Sequence, residues 1–294
     1  MTAIRAMAPA RIPVYGRCVR GDGAARRGGP AGMSGERPAA GMDVTRPSPA
    51  RIYDWLLGGK DNFEADREAG ARLLEAQPLA GMMARANRGF LERGVRALAE
   101  AGVRRFLDLG TGLPTSPNVH EIALAADPGA RVVYVDNDPL VAAHNAALRA
   151  KPAGVAAVHA DIRDPDAVLA RPEVADLLEP GEPVAVLMLA VLHFLPDEDD
   201  PHAVVAAYRD RLAPGGYLAV STPSTEGYTG AELAEITSPY RTATAGVTIR
   251  TRESIEAFFG GWPLLPPGLV EASRWRVDGP ELRGKMLAGI ARRP

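Results

Sequence analysis

The sequence is poor in cysteine, and it contains no long apolar run. Cys18 is the single cysteine among 294 residues, so no disulfide can form within the chain, which fits a reducing compartment. The longest apolar run, from Val184 to Leu192, is half the ~18 residues of a membrane span and suits a buried strand. We therefore expect a cytoplasmic protein without a membrane segment.

The chain also lacks an excess of charge of one sign. Its 34 basic and 36 acidic residues give a formal net charge of −2. Nucleic acids and anionic membranes attract strongly basic surfaces, so we expect neither as a partner. Hydrophobic residues make up 46% and charged residues 24%, which is typical of a globular chain with one sizeable α/β core. The oligomeric state is left open by the sequence.

Lysine is scarce, and the first 48 residues differ from the rest. Three lysines stand against 31 arginines, as expected from a GC-rich genome. Residues 1–48 are rich in Arg, Gly, Ala and Pro and have neither helical nor strand periodicity, so we predict a disordered tail. Translation starting at Met33 or Met42 is an alternative. We expect order to begin near Pro49 and residues 49–294 to form a single domain.

Helical and strand patterns alternate along this domain. Residues 51–101 have apolar residues at helical spacing, and we predict a helical lid or cap there. The predicted strands are Val103–Leu109, Arg131–Val135, Val155–His159, Val184–Val191 and Tyr217–Ser221, with helices near 117–126, 138–149, 165–178 and 201–212 between them. Such alternation predicts a parallel sheet covered on both faces. A helix near 251–259 is followed by Leu269–Val277 and Lys285–Ala291, which we expect to pair antiparallel at the sheet edge.

The first predicted strand ends in a turn with two glycines, Gly110-Thr111-Gly112. In open α/β sheets ligands bind beyond the carboxyl ends of the strands, where such glycines leave no Cβ in the way of a ligand. A tight turn without a ligand is the alternative.

Acidic residues follow three successive strands. Asp108 lies before the turn, Asp136 at the tip of the second strand, and Asp161 at the tip of the third. Asp136 is placed to hold a ribose diol, and Asp161 can accept from an adenine amino group. Each acid alone is more often a helix cap or a solvated loop residue. Together they indicate a nucleoside site.

The glycine turn departs from the dinucleotide pattern. That pattern has glycines at the first, third and sixth positions, and here Thr115 occupies the sixth while Pro114 stiffens the turn. The carboxylate of Asp108 would repel a pyrophosphate but attract an ammonium or a sulfonium group. S-adenosylmethionine carries both cations and no phosphate, so we predict it in preference to NAD.

Several sequence motifs match a known family. "DLGTGLPT", "VVYVDNDP", "ADIRDP" and "AVLHFLPD", together with "ARIYDWLLGGKDNFEADR" upstream and "FFGGWPLLPPGLVEASRWR" downstream, resemble an actinobacterial family of S-adenosylmethionine-dependent methyltransferases that was long catalogued as a domain of unknown function. The resemblance spans roughly residues 46–293. It implies a Rossmann-like class I methyltransferase fold, that is, α/β with a seven-stranded, mostly parallel sheet, an antiparallel C-terminal edge and a helical N-terminal cap.

The resemblance also implies site residues. Asp108, Gly110 and Gly112, with Thr111 between the glycines, would hold the methionine portion of the cofactor. Asp136 would take the ribose hydroxyls, with Asn137 and Asp138 nearby, and Asp161 and Ile162 would frame the adenine. Independently of the resemblance, Asn87 and Arg88 are further cofactor candidates from their position before the first strand, because an arginine there can reach the cofactor carboxylate with two hydrogen bonds. A surface arginine is the alternative.

Catalysis requires alignment more than acid–base chemistry, because the leaving group of a sulfonium departs neutral. His193 is the candidate base, since it follows the fourth strand on the rim predicted for the cofactor. A histidine satisfied by packing and backbone is the alternative. The five histidines have no metal-ligand spacing, so we expect no metal.

Two segments are candidates for covering the site. In "YDWLLGGKDNF" a glycine pair stands among aromatic and polar residues, and we hypothesise a lid with a glycine hinge. A turn between two helices is the alternative. Residues 223–250 are polar and turn-rich, as in loops that shape acceptor specificity. The lid and acceptor candidates are Tyr53, Gly58, Gly59, Lys60, Asn62, Phe63, Tyr228 and Tyr240.

The sequence therefore predicts a methyltransferase that acts on a small-molecule acceptor. A NAD-dependent oxidoreductase is the enzymatic alternative, and a regulator that binds S-adenosylmethionine without transferring its methyl group is the non-enzymatic one. The acceptor and the acceptor atom stay open.

Overall fold

Seven strands form one mixed sheet. The structure, a computed structural model, describes residues 43–148, 153–179, 181–282 and 285–294. The strands are β1 (Arg105–Leu109), β2 (Arg131–Asp136), β3 (Val155–His159), β4 (Val184–Leu189), β5 (Tyr217–Pro223), β6 (Val270–Glu271) and β7 (Met286–Arg292). Their order in the sheet is β3-β2-β1-β4-β5-β7-β6. Strands β1 to β5 are parallel, whereas β7 is antiparallel to both of its neighbours. The predicted mostly parallel sheet with an antiparallel C-terminal edge is confirmed.

Ten α-helices surround the sheet in the described ranges. They are α1 (Pro49–Leu57), α2 (Glu64–Ala76), α3 (Ala80–Glu100), α4 (Val119–Ala126), α5 (Pro139–Leu148), α6 (Pro165–Leu169), α7 (Pro172–Leu177), α8 (Pro201–Arg211), α9 (Gly230–Thr237) and α10 (Arg252–Ala257). None of the helices in those ranges is both long and apolar enough to cross a membrane.

The core lies on both faces of the sheet because strand side chains alternate. Leu107 and Leu109 of β1 pack on one face, in a cluster that includes residues of α8 and α10. Phe106 packs on the opposite face, which α3 and α4 cover. Asp108 has the same parity as Phe106, so its carboxyl group is directed to the face beneath α3 and α4 and is buried there.

Three predicted elements differ from the structure. The helix predicted over 165–178 is two helices, because Pro172 cannot continue α6 and instead starts α7. The strand predicted over Leu269–Val277 is wrong beyond Glu271: a 3₁₀ turn follows at Ala272–Arg274, and Trp275 is buried edge-on against Phe90, with ring centroids 5.2 Å apart.

The segment 223–250, expected to be a loop, contains α9 and a 3₁₀ turn at Ser238–Tyr240. The side chain of Thr229 accepts from the Glu232 N–H, and Glu232 in turn accepts from the Thr229 N–H. This Thr-x-x-Glu capping box was the sequence signal for the helix.

A third, smaller core joins α1 and α2 to α9. Ile52, Leu73 and Ile236 are buried in it, with Tyr228 and Tyr240 packed alongside. We call α1, α2 and α9 the helical cap. Helix α3 belongs to the sheet layers, since Phe90 and Val95 pack in the core of the sheet.

A buried ion pair joins α1 to α2 at the start of the folded chain. The Arg51 Nε lies 3.0 Å from Asp66 Oδ2, and neither side chain is more than 2% exposed. Asp66 also accepts from the backbone N–H groups of Ser48 and Phe63, at 2.8 Å each. Arg51 donates to the carbonyl groups of Asp43 and Arg46, so order begins before the predicted boundary at Pro49. Residues 1–42 of the predicted tail lie outside the described residues.

We expect Asp66→Asn to destabilise the helical cap by about 3 kcal/mol. The substitution leaves the Arg51 charge buried without its counterion, which is far costlier than losing an exposed pair. Hydrogen exchange of residues 48–76 and denaturant unfolding measure the loss. Glu68→Gln, an exposed change on the same helix, is the control. Equal stability of Asp66→Asn and the unchanged protein would contradict a structural role for the pair.

Candidate functional site

The glycine turn after β1 is held against β2 and pressed against the end of β4. The N–H groups of Gly110 and Thr111 both donate to the carbonyl of Val135, at 2.8 and 3.3 Å. Gly110 has φ 73°, and a Cβ placed on it would lie 2.2 Å from Val191 Cγ2. Gly112 has φ 65°, but a Cβ there would meet nothing within 4 Å. Gly110 is thus required by packing, whereas Gly112 leaves open space at the turn.

Asp108 is a buried carboxyl group without a hydrogen-bond partner among the described residues. Its side chain lines a small cleft together with Arg88, Gly112 and Tyr134. Burial raises the pKa of Asp108 to about 7; the Arg88 charge opposes this shift and the Asp136 charge adds to it. A cationic group entering the cleft would give the Asp108 carboxylate a charge partner in addition to the nearby Arg88 charge.

Asp136, the last residue of β2, is oriented by two backbone groups. Its Oδ2 accepts from the Gly112 N–H and its Oδ1 from the Asp138 N–H, both at 2.9 Å. Burial raises the pKa of Asp136 to about 6, although these two hydrogen bonds oppose the shift. The glycine turn and the predicted ribose acid are therefore directly joined.

Asp161 lies two residues beyond β3, and its carboxylate is already well occupied. It pairs with Arg163, at 2.6 Å between Nη2 and Oδ2, and accepts from Asn137 Nδ2 at 3.2 Å. Burial raises the pKa of Asp161, but the hydrogen bonds from Arg163 and Asn137 outweigh burial and hold it below its usual range. Ile162 is buried beside it, with its carbonyl bound by the Tyr208 hydroxyl.

Arg88 and Asn87 are neighbours in α3 with different surroundings. Arg88 lines the cleft, and its Nη2 donates to the carbonyls of Thr115 and Pro117 at 2.5 and 2.7 Å. Asn87 is 3% exposed; it donates to the Tyr53 hydroxyl at 2.9 Å and accepts from the Ser221 hydroxyl at 2.5 Å. Arg88 is thus at the cleft, whereas the amide of Asn87 links α1 to β5.

The sequence offered no sign of several residues that complete this region. Asn145 lines the cleft and donates to Thr111 Oγ1 at 3.1 Å, while Arg163 neutralises Asp161. Ser221 accepts from the N–H of Ala190, which has φ 54°. Asn145 and Ser221 are ordinary helix and strand residues in the sequence, and no motif distinguishes them. Within the described ranges no group of three or more potential metal ligands comes together.

His193 lies in a 3₁₀ turn, Leu192–Phe194, shortly after β4. It is 8% exposed, and its Nδ1 is buried with no hydrogen-bond partner in the described part of the chain. Burial, and then the charge of Arg250, lowers the pKa of His193 to about 3. An imidazole with that pKa is neutral at pH 7 and is a weak base. Its catalytic role stays a prediction.

The proposed lid segment is a well-bonded turn between α1 and α2. Gly58 ends α1 with φ 85°, and a Cβ on Gly59 would lie 2.0 Å from Asp54 Oδ1. Asp54 Oδ2 accepts from the Asp61 N–H and from Asn62 Nδ2, at 2.9 and 2.8 Å. Gly59 is therefore needed for the close approach of Asp54, independently of any hinge.

The other lid and acceptor candidates are divided between surface and interior. Lys60 is exposed, and Phe63 lies beneath the Arg51 guanidinium, which is 5.4 Å from the ring centroid. Tyr228 bonds to Gln77 of the α2–α3 connection, and the Tyr240 ring is 5.8 Å from that of Phe194. Residues 223–250 thus bring two tyrosines to the boundary between the helical cap and the turn after β4.

We expect Asp108→Asn to stabilise the ligand-free protein at high pH. The folded-state pKa of about 7 exceeds the ordinary value of 3.8, so stability is lost as pH rises from about 4 through 7. Removing the charge should raise the free energy of unfolding at pH 8 by about 3 kcal/mol, with less effect at pH 5. Thermal unfolding at both pH values measures this. Asp278→Asn, at an exposed position, should have no such pH dependence.

Comparisons with known proteins agree with this geometry. A model of the S-adenosyl methyltransferase family matches residues 35–294. The crystal structure of a candidate methyltransferase from Thermobifida fusca YX is 42% identical, with 87% of this chain and 98% of that chain covered and a TM-score of 0.80. The crystal structure of a DUF574 family protein from Streptomyces avermitilis MA-4680 is 40% identical, with coverage of 86% and 99% and a TM-score of 0.81. No curated protein matches the chain.

The predicted resemblance and the predicted class I fold are both confirmed by the matched family and by the sheet order. The chain belongs to the S-adenosyl methyltransferase family.

Proposed function

We propose that this protein binds S-adenosylmethionine in the cleft at the carboxyl ends of β1 and β2 and transfers its methyl group to a small-molecule acceptor. The observation that carries the proposal is the buried, unpartnered carboxyl group of Asp108 beside the open space at Gly112. A cationic, phosphate-free nucleoside matches this arrangement. A pyrophosphate would place further negative charge against Asp108 and Asp136.

The residues at the cleft match the cofactor in two groups, one for its methionine portion and one for its nucleoside. Asp108 would receive the ammonium group, and Arg88, which retains N–H donors beyond the Nη2 it gives to Thr115 and Pro117, would receive the carboxylate. Asp136 would accept from the ribose hydroxyls, because its carboxylate is fixed by two backbone N–H groups and still has free lone pairs. Asp161 and Ile162 border the place expected for the adenine.

The chain's contribution to catalysis in this proposal is alignment and exclusion of water. When bound, the cofactor supplies a methyl group on a sulfonium, which needs a correctly placed nucleophile rather than an acid. The turn Leu192–Phe194 follows β4, and the ring of Phe194 lies 5.8 Å from that of Tyr240, which packs against the core of the helical cap. There a neutral His193 is suited to orient an acceptor hydroxyl or amine by a hydrogen bond.

The lid hypothesis stays part of the proposal. Support comes from the position of the α1–α2 turn beside α5, where Asp61 Oδ2 lies 4.0 Å from His144 Nε2. A lid here would cover the cofactor from the side of Asn145. A cytoplasmic location and the absence of nucleic-acid and membrane partners likewise remain predictions from the sequence.

We expect cofactor affinity to rise as the pH increases from 6 to 8. Asp108 must lose its proton to attract a cation, and its pKa in the free protein is about 7; Asp136, with a pKa of about 6, contributes at the lower end. Calorimetric titration of S-adenosylhomocysteine at pH 6 in buffers of different ionisation enthalpy should detect proton release. Asp108→Asn should weaken binding by about tenfold or more, since a hydrogen bond to a charged group is lost.

The same titration with NAD separates the proposal from the oxidoreductase alternative, which requires NAD to bind more tightly than S-adenosylhomocysteine. Transfer itself is tested with methyl-labelled S-adenosylmethionine and low-molecular-weight fractions of actinobacterial extracts, measuring S-adenosylhomocysteine and labelled product. Asp108→Asn is the control with weakened cofactor binding, and Asp278→Asn is the control with unchanged binding. Binding without product in every fraction would favour the regulator over the enzyme.

A further inference from the structure

Ser48 stands at the N-cap of α1 but does not cap the helix. At this position a serine hydroxyl ordinarily accepts from a backbone N–H of the first helical turn. The Ser48 side chain makes no such bond; instead its Oγ donates to Asp138 Oδ2 at 2.5 Å. Ser48 is only 2% exposed. Its hydroxyl therefore bonds to a carboxylate 90 residues further along the chain instead of to the helix or to solvent.

Asp138 leads directly to the acid predicted for the ribose. Its Oδ1 accepts from the Leu140 N–H at 2.8 Å, which fixes the start of α5, and its own N–H donates to Asp136 Oδ1 at 2.9 Å. The other oxygen of Asp136 accepts from the Gly112 N–H. An uninterrupted chain of hydrogen bonds therefore runs from Ser48 through Asp138 and Asp136 to the glycine turn.

The other end of this chain is anchored in the helical cap. The Ser48 N–H donates to Asp66 Oδ1, and Asp66 forms the buried pair with Arg51. The backbone of Ser48 is thus fixed by Asp66 of the α1–α2 ion pair, while its hydroxyl group bonds to Asp138. Its donor also offsets the negative charge of Asp138, which lies next to that of Asp136.

We propose that Ser48 is a positioning residue for the nucleoside half of the cofactor site, which it controls by holding Asp138 and, through it, Asp136. This rests on the proposed function, because it assigns the ribose to Asp136. The methionine half lies further from Ser48: Asp108 and Arg88 line the cleft, which neither Ser48 nor Asp138 does, and the Gly112 N–H on Asp136 joins the two halves. Loss of the hydroxyl should therefore affect the two halves of the cofactor differently.

The test compares fragments of the cofactor. Ser48→Ala should weaken S-adenosylhomocysteine and adenosine by a similar factor, about tenfold, as expected for one hydrogen bond to a charged group. L-methionine, titrated separately by ligand-observed NMR, should bind with unchanged affinity. Ser254→Ala, which removes a half-buried serine hydroxyl bonded to His202, is the matched control and should bind all three ligands normally.

A double-mutant cycle separates positioning from general loosening. Asp138→Asn keeps an oxygen for the Leu140 N–H but removes the charged acceptor of the Ser48 hydroxyl, and in that background Ser48→Ala should have little further effect on adenosine. Equal losses for adenosine and methionine, or additive effects of the two substitutions, would overturn the proposal. If Ser48→Ala does not fold, Asp138→Asn alone decides it by the same comparison of fragments. Failure of the unchanged protein to bind S-adenosylhomocysteine would instead refute the proposed function.

Discussion

The carboxyl group of Asp108 is buried near the end of β1, and the described protein supplies no hydrogen-bond donor to satisfy it. The surrounding structure keeps the Asp108 carboxyl group buried and the cleft beside it open. The alternation of β1 directs the side chain beneath α3 and α4, and Gly112 leaves the turn without a side chain at the cleft. Burying an acid costs stability when the acid is charged, and the raised pKa of Asp108 reflects that cost. Here the cost is consistent with a site built to be completed by a cation.

Asp136, unlike Asp108, receives hydrogen bonds from the protein itself. Asp136 has each oxygen bound by a backbone N–H, and Asp138 beside it is held by Ser48 and by the first turn of α5. A satisfied carboxylate is fixed in direction, which suits recognition of a pair of hydroxyl groups. The two ends of the site thus differ in physical character: one acid is poised to gain a charge partner, and the other is rigid before any ligand arrives.

Sequence periodicity predicted the sheet and the position of its acids, because parallel strands bring their carboxyl ends to one edge whatever the details of packing. It predicted less well where a local signal competed with an apolar run. Pro172 separates α6 from α7, where the sequence predicted one helix. The predicted strand over 269–277 ends at Glu271, and the buried Trp275 follows a 3₁₀ turn. Contacts such as Asn145 to Thr111 or Ser221 to Asn87 follow from tertiary packing, and nothing in the types or spacing of these residues marks them beforehand.

The helical cap has a consequence for how this family can diversify. Its small core is shared between α1 and α2 near the start of the chain and α9 beyond β5, with Ile52 and Leu73 packed together with Ile236. A chimera that takes residues 223–250 from a relative would set a foreign α9 against the resident α2 and mismatch that core. Exchange of residues 223–250 between homologues therefore requires matching α1 and α2 helices, although more than 100 residues separate α2 from α9.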